Sequence, residues 1–385
     1  PLRSAFGAFV GETTFIGNSN LIVEGQADQI LLAGAATHLR RHNASVLEML
    51  DLNRVTIVPA GSASHVPYLV YLARGRDVEQ PAVIVLLDSD ISGNQARKRL
   101  KKGGANGKPL LRDSLVLQIG DLSSNNALSL IQPGLLMETE DLVPLQLCAE
   151  AARKYAREVC GVTEVEINQK ITTETIQAKL AAAKTVFDAI EECFADLSDA
   201  DFHIEKVGFA RNIVDQLTQP DGLVAKDNID AFENNMKILF RRLNEIRRDA
   251  ERELASERVT NKINRLKNSF FQDHPTTARR EDVHVLFENM LASLDDGPES
   301  DAVVVAISQL RREFEVDDDQ TQSVKEYDNF KERLDLIRYA GLLASQENRD
   351  QYTFDSKGEK SGPTSIVAEI PAPQAITDAK SIDQG

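Results

Sequence analysis

Four short apolar runs dominate the first 120 residues of the chain. They are rich in Val and Ile, and they occupy residues 20–23, 55–58, 82–87 and 115–119. Continuous apolar runs of this length are typical of strands that are buried on both faces of a parallel sheet. Helical patterns separate the runs, at residues 27–39, 64–73 and 94–102. The alternation predicts right-handed crossovers and an α/β fold with a doubly wound, mainly parallel sheet.

Beyond residue 122 the apolar positions recur at helical spacing. They predict a large all-helical portion, with helices at residues 143–159, 173–195, 206–217, from 229 onward, 283–294, 301–314 and 324–343. We therefore divide the chain into four parts: a sheet domain (1–144), a helical excursion that returns to the sheet (145–222), a helical domain (223–345) and a poorly ordered polar tail (346–385).

The long helix after Ile229 carries an apolar seam. Its members repeat at intervals of four and three residues, at Phe232, Met236, Leu239, Leu243 and Ile246. A seam of this kind offers more apolar surface than one helix buries unaided. It predicts either a homodimer through the long helices or packing against residues 283–343.

The net charge of the chain is −16. This acidic excess argues against a simple nucleic-acid binder, since phosphate contacts favour a basic surface. Residues 40–112, however, contain twelve Lys and Arg against six Asp and Glu. A basic stretch beside an acidic site suits an anionic substrate held by divalent cations, although a solvated mixed-charge surface explains these charges equally well.

No apolar run approaches the roughly 18–20 residues that a membrane-spanning helix needs. Three cysteines, Cys148, Cys160 and Cys193, are too widely spaced for a metal or disulfide framework, so we expect them to be buried and reduced. The expected location is the cytoplasm, with no membrane partner.

Two acidic clusters follow the first and third predicted strands. Glu24 ends the first strand and Asp28 falls in the first turn of the next helix, while Asp88 and Asp90 follow the third strand. In a doubly wound sheet the chemistry lies at the carboxyl ends of the strands. A 2-1-3-4 strand order makes strands one and three neighbours, so it would bring these four acids together.

Carboxylates crowded into one place repel one another unless cations are present. Mg²⁺ and Mn²⁺ prefer such oxygen ligands, and two of these ions can serve phosphodiester cleavage by activating water and stabilising the leaving oxygen. Each acid also has a structural alternative. Asp28 could complement the dipole of its helix, and Asp88 and Asp90 could cap the helix that follows them.

These motifs resemble the Toprim domain, which topoisomerases, primases and several nucleases share. The resemblance lies in VEG-xx-D at residues 23–28 and in LLDSD at residues 86–90. Further segments resemble the catalytic region of the overcoming-lysogenization-defect (OLD) nucleases: FGAFVGETTFIGNSNLIVEGQADQILL (6–32), VPAGSASHVPYLVYLAR (58–74) and METEDLVP (137–144). The match covers about residues 5–215, and the helices beyond residue 223 have no matching motif.

The OLD resemblance implies a DNA endonuclease or nickase that uses two Mg²⁺ or Mn²⁺ ions. It makes Glu24, Asp28, Asp88 and Asp90 metal ligands, and adds Glu140 from METED, with Glu138 and Asp141 as alternatives to it. Lys206, in IEKVGFARNIVDQL, matches a family lysine that stabilises transition-state charge; its alternative is an exposed lysine at a helix start. Glu24, Asp88, Asp90 and Lys206 are the expected catalytic residues. The resemblance also implies an N-terminal ATPase domain in the full-length protein.

Two other functions are consistent with parts of the sequence. One is a Toprim module of a topoisomerase or primase, although the six tyrosines have no distinctive surroundings and no Cys/His cluster offers a zinc module. The other is a non-catalytic helical scaffold. His38 and His42 have the four-residue spacing of a metal pair, but no third ligand is evident in the sequence, so we favour a surface role for them. The cations Lys98, Arg99, Lys101 and Lys102 either contact the DNA backbone or form a solvated face.

Overall fold

A computed structural model describes residues 17–74, 80–103, 109–131, 136–197, 202–218, 224–295 and 297–339. The predicted tail at 346–385 lies outside these residues, as does the start of the segment that resembles the OLD nucleases (6–16). No helix among the described residues is long and apolar enough to cross a membrane.

The apolar runs form one four-stranded, all-parallel sheet in the order β2-β1-β3-β4. Its strands are β1 (Ser19–Val23), β2 (Thr56–Pro59), β3 (Ala82–Leu87) and β4 (Val116–Gln118). Every residue of β1, β3 and β4 is buried, which explains why these strands show no alternation of polar and apolar residues. The parallel sheet, the strand order and the neighbouring positions of strands one and three are therefore confirmed.

Three helices connect the strands: α1 (Gln26–Arg41), α2 (Val66–Arg74) and α3 (Ile91–Lys102). The chain passes from β1 to β2 in one direction and then back across β1 to β3. Right-handed crossovers place the connecting helices on opposite faces when the direction reverses in this way. In sheets of this type, ligands bind in the crevice outside the carboxyl ends of the strands at the point where the order reverses, which here lies between β1 and β3.

The helical portion begins after a 3₁₀ turn at Thr139–Leu142. Its helices are α4 (Leu145–Tyr155), α5 (Glu164–Lys170), α6 (Thr173–Leu180), α7 (Val186–Ala195), α8 (Lys206–Thr218), α9 (Lys226–Asp273), α10 (Arg280–Leu291), α11 (Pro298–Glu313) and α12 (Tyr327–Asp335). A π-helical turn, Ala156–Cys160, extends α4. All three cysteines are free and buried, as expected.

Three details of the predicted helices are wrong. Residues 173–195 form two helices rather than one, because the hydroxyl of Thr185 caps a new start by accepting a hydrogen bond from the Asp188 backbone at 3.1 Å. The short helix α5 was not predicted. The last predicted helix, 324–343, is shorter among the described residues, where α12 covers nine residues; residues 340–343 lie outside them.

Helix α8 returns the chain to the sheet domain by packing on α1 and α4. The approach to α1 is close, since a Cβ placed on Gly34 would lie 2.2 Å from Cγ2 of Val214. A larger residue at Gly34 would therefore push α8 away. This contact fixes the position of Lys206, the first residue of α8.

Helix α9 joins two separate hydrophobic cores. Its first half contributes the seam residues Phe232 to Ile246 to the core that contains the sheet, where it packs against β3. Its second half contributes Val259, Ile263 and Phe270 to a core formed with the helices that follow. The seam is thus buried within the chain, against the sheet domain rather than residues 283–343, because β3 leaves an apolar face for it. The surface argument for a homodimer no longer applies.

Candidate active site

Glu24 and Asp88 are connected across the crevice between β1 and β3. The backbone N–H of Asp88 donates a hydrogen bond to Oε1 of Glu24 at 2.9 Å. Gly93 makes this arrangement feasible, because a Cβ there would lie 2.1 Å from the carbonyl oxygen of Asp88 and 3.1 Å from Oε1 of Glu24. The glycine lets α3 begin directly against the two strand ends.

The backbone around Asp88 is held from two further sides. The N–H of Ser89 donates to the carbonyl of Met137 at 2.7 Å, and Nε2 of Gln118 donates to the carbonyl of Asp88 at 3.1 Å. The first of these bonds draws residues 137–141 to the end of β3. The acids of METED therefore lie beside those of LLDSD, although almost fifty residues separate them.

Asp90 performs the capping role that the sequence left open, and Asp28 holds the residue before its own helix. Oδ2 of Asp28 accepts a hydrogen bond from the backbone N–H of Gly25 at 2.9 Å. Asp90 caps α3, where its two oxygens accept from the Gly93 N–H and the Ser92 hydroxyl, each at 2.6 Å. A carboxylate oxygen has a second lone pair, so these bonds leave both side chains able to bind a cation. Asp28 is buried beside the other acids.

The three acids of METED have three different environments. Asp141 is bound by backbone alone: its oxygens accept from the N–H groups of Met137, Glu138 and Val186 at 2.8–2.9 Å. It therefore caps both the 3₁₀ turn and the start of α7. Glu138 pairs with Lys206. Glu140, only 3% exposed, forms neither the three backbone hydrogen bonds of Asp141 nor the ion pair of Glu138. It is therefore the acid of the three that is best placed to bind a metal.

Lys206 lies at the edge of the same acidic group. Its Nζ is 2.9 Å from Oε2 of Glu138 and 5.1 Å from the centroid of the Phe187 ring. Burial disfavours the ammonium charge, but the charges of Glu140 and Glu138 outweigh burial and raise the pKa of Lys206. The side chain is therefore a permanent cation that is still partly open to solvent.

The acids of the crevice are not ordinary surface carboxyls. Burial, assisted by the charges of other acids, raises the pKa of Asp88 to about 10 and that of Glu140 to about 8. Burial likewise raises the pKa of Glu24 to about 7, with the charges of Asp90 and Asp28 adding to the effect. The pKa of Asp28 is raised as well, by burial first. Proteins tolerate such a group of acids where protons or metal ions neutralise it.

The carboxylates at the strand ends affect one another's pKa values. No three of these residues, however, bring their ligand atoms within 4.8 Å of one another in the described part of the chain. Among the described residues, a group of three or more potential ligands with all ligand atoms within 4.8 Å of one another occurs elsewhere, at His38, His42 and Glu233. Sequence reasoning missed Glu233 as a third member of that group because it lies 195 residues from His38. It also did not predict the pairing of Glu138 with Lys206, for which the sequence carries no local signal.

The contrast between Glu140 and Asp141 gives a test of their roles. We expect Asp141→Asn to lower the free energy of unfolding by about 1–3 kcal/mol, because an amide offers one acceptor oxygen where three backbone donors need two. Glu140→Gln should fold at least as well as the wild type but lose the stabilisation that Mn²⁺ provides. Urea unfolding with and without Mn²⁺ measures both effects. If both variants showed the same pattern, the division of roles would be wrong.

No protein-family model, curated protein or solved structure matches the chain.

Proposed function

We propose that the chain is a divalent-metal-dependent nuclease that hydrolyses phosphodiester bonds of DNA. The observation that carries the proposal is the grouping of Glu24, Asp28, Asp88 and Glu140, with Lys206 beside them, at the point where the sheet order reverses. The motifs that resemble the Toprim domain of OLD nucleases support the same function. DNA as substrate, and an ATPase domain as a partner in the full-length protein, are parts of the proposal that rest on this resemblance.

The donor set fits Mg²⁺ or Mn²⁺, because it consists of carboxylate oxygens, which these ions prefer. Burial first, and then the charges of neighbouring acids, raise the pKa values of these carboxyls, and a bound cation would offset both effects. Glu24, Asp88 and Glu140 would hold the ions, with Asp28 and Asp90 as further ligands. Two bound ions would supply an activated water and charge stabilisation for the leaving oxygen. Glu24 has a second task, since its hydrogen bond from the Asp88 backbone keeps the two strand ends together.

Lys206 suits the remaining task, which is to neutralise charge that builds up on a phosphate oxygen during cleavage. Its ammonium is anchored by Glu138 on one side and by the Phe187 ring on the other. A fixed cation costs little reorganisation when the reaction proceeds, and this preorganisation is the basis of electrostatic catalysis.

The cations of α3 offer a path for the DNA backbone. Lys101 forms an ion pair with Asp113 at 3.1 Å and is therefore less available to a phosphate. Lys98, Arg99 and Lys102 are exposed, and none of the ion pairs within the described part of the chain involves them. Since α3 begins directly after Asp90, these cations lie about 12–18 Å along the helix from that residue, which corresponds to about four to five phosphates of one DNA strand.

Cleavage of supercoiled plasmid tests the proposal. Wild-type protein should produce nicked or linear DNA with Mg²⁺ or Mn²⁺ and none with EDTA. Glu24→Gln should fall to the EDTA level, while Glu191→Gln, a matched change at an exposed position of α7, should cleave like the wild type. Equal cleavage by Glu24→Gln and wild type would refute the site. A protein–DNA adduct that survives denaturation would instead indicate a topoisomerase.

A further inference from the structure

A second group of potential metal ligands lies between α1 and the start of α9. Nε2 of His38 is 3.0 Å from Oε1 of Glu233, and Nδ1 of His42 is 3.6 Å from the same oxygen. His38 lies in the last turn of α1 and His42 is the C-cap residue directly after it, so the two rings lie on the same side of this helix end. For metal–ligand bonds of about 2.0–2.1 Å, the ligand atoms of a tetrahedral site are about 3.3 Å apart. The two measured distances bracket this value.

His38 forms the buried side of this group. Its side chain is 4% exposed, and Nε2 hydrogen-bonds Oε1 of Glu233 at 3.0 Å. The ring also hydrogen-bonds the backbone of Leu217. A proton therefore lies between Nε2 and Oε1 in the metal-free protein, and a cation that binds there displaces it.

The groups around this pair hold it in position for a cation. The surroundings match those of metal ligands in proteins, in which a histidine donates its other N–H to a backbone carbonyl and a ligating carboxylate is held by a second partner. Here the second partner is Nζ of Lys237, 3.0 Å from Oε2.

We propose that His38, His42 and Glu233 form a binding site for Zn²⁺ or a similar late first-row cation, which clamps α1 to α9. Two imidazole nitrogens and one carboxylate select such ions over Mg²⁺ and Mn²⁺, which prefer oxygen ligands. His42 is 56% exposed, so water completes the coordination on that side. Binding through Nδ1 of His42 replaces its hydrogen bond to the His38 carbonyl, 3.1 Å long.

The clamp has a structural purpose that does not depend on the proposed nuclease activity. Helix α1 carries Asp28 in its first turn and packs on α8, which begins at Lys206. Glu233 lies in the second turn of α9, before that helix crosses the sheet domain. An ion at this site therefore fixes the far end of α1 to the helix that connects both hydrophobic cores.

Zn²⁺ titration of the full chain, after removal of metals with EDTA, tests the site. Competition with a chromophoric chelator gives the affinity, and Co²⁺ in place of Zn²⁺ gives the visible absorption of a tetrahedral N/O site. Wild type and His203→Gln, an exposed control, should bind one ion with equal affinity. His42→Gln and Glu233→Gln should bind at least about tenfold more weakly. His42 is largely exposed, so its variant retains the fold.

Two outcomes would overturn the clamp. One is equal Zn²⁺ affinity in wild type, His42→Gln and Glu233→Gln. The other is loss of the bound ion in Asp88→Asn, which would assign the ion to the acids at the strand ends. Retention of tetrahedral Co²⁺ absorption by Asp88→Asn, with its loss in His42→Gln, would establish that the site is separate.

Discussion

Asparagine in place of Asp88 is expected to abolish DNA cleavage and, at the same time, to make the metal-free protein more stable. The activity should fall by at least about 10³-fold, since the variant removes a central charge of the proposed metal site. Aspartate and asparagine side chains have nearly the same shape. The hydrogen bonds from the Asp88 N–H to Glu24 and from Gln118 to the Asp88 carbonyl do not involve the side chain of Asp88. The loss would therefore reflect charge rather than misfolding.

The gain in stability follows from the raised pKa of Asp88, which is about 10 in the folded chain. An unfolded aspartate releases its proton near pH 4, so between pH 4 and pH 10 the folded state retains a proton that the unfolded state has lost. The free energy of unfolding consequently falls as the pH rises through this window. Asparagine, which is neutral at every pH, avoids this penalty, which at pH 7 is on the order of a few kcal/mol.

Thermal unfolding between pH 5 and pH 9 in EDTA measures this effect. We expect Asp88→Asn to unfold a few degrees above the wild type, with a difference that widens as the pH rises, because relief of about 2 kcal/mol shifts Tm by a few degrees in a chain of this size. Mn²⁺ should raise Tm of the wild type and leave the variant unchanged. Asp230→Asn, at an exposed position of α9, is the matched control. A variant less stable than wild type at pH 8 would show that Asp88 is not buried among like charges.

Methionine in place of Lys206 should slow cleavage by about 10²–10³-fold at saturating metal. Methionine retains an apolar stem against Phe187 but has no ammonium. Affinity for the metal should not fall, because a competing cation has been removed from beside Glu138 and Glu140. A single-turnover assay over a range of Mn²⁺ concentrations separates the two quantities. Lys154→Met, which removes a comparable ion pair between α4 and Asp215 of α8, should cleave normally.

A double variant distinguishes catalysis by Lys206 from simple charge balance. Lys206→Met alone leaves the half-buried carboxyl of Glu138 without its ion pair. If Lys206 only neutralises Glu138, adding Glu138→Gln should restore the rate. If Lys206 acts on the phosphate, the double variant should regain stability but not rate. Full cleavage by the single variant at saturating Mn²⁺ would remove Lys206 from the mechanism altogether.

The sheet and its acids were predictable because their signals are local. Each strand is a continuous apolar run, and Glu24 and Asp88 directly follow two such runs. The reversed strand order then brings the two acids together without further information from the chain. Lys206 was predicted from a motif resemblance, whereas its partner Glu138 was not, since an ion pair between residues 68 positions apart leaves no periodic pattern.

The wrong predictions share one physical cause. The spacing of residues along a helix shows which of them lie on one face, but it does not show what that face packs against. The seam from Phe232 to Ile246 has the spacing of a coiled coil, yet it packs on a sheet, because any apolar face of suitable width satisfies it. The pair His38 and His42 was read as a surface feature since Glu233 lies on a helix that the sequence could not place beside α1. The break at Thr185 depends on Asp141, which accepts from the Val186 N–H.

Helix α9 links the two hydrophobic cores as one unbroken helix. Its 48 residues contain neither Gly nor Pro, the usual sites of kinks, and they span about 70 Å. Near its middle, Glu253 forms an ion pair with Arg112, which lies shortly before β4, and this pair braces the helix against the sheet domain. A rod of this length acts as a lever: a tilt of about 5° about that brace moves each end by about 3 Å. Force applied to the distal core would thus be delivered to the helix face that packs against β3.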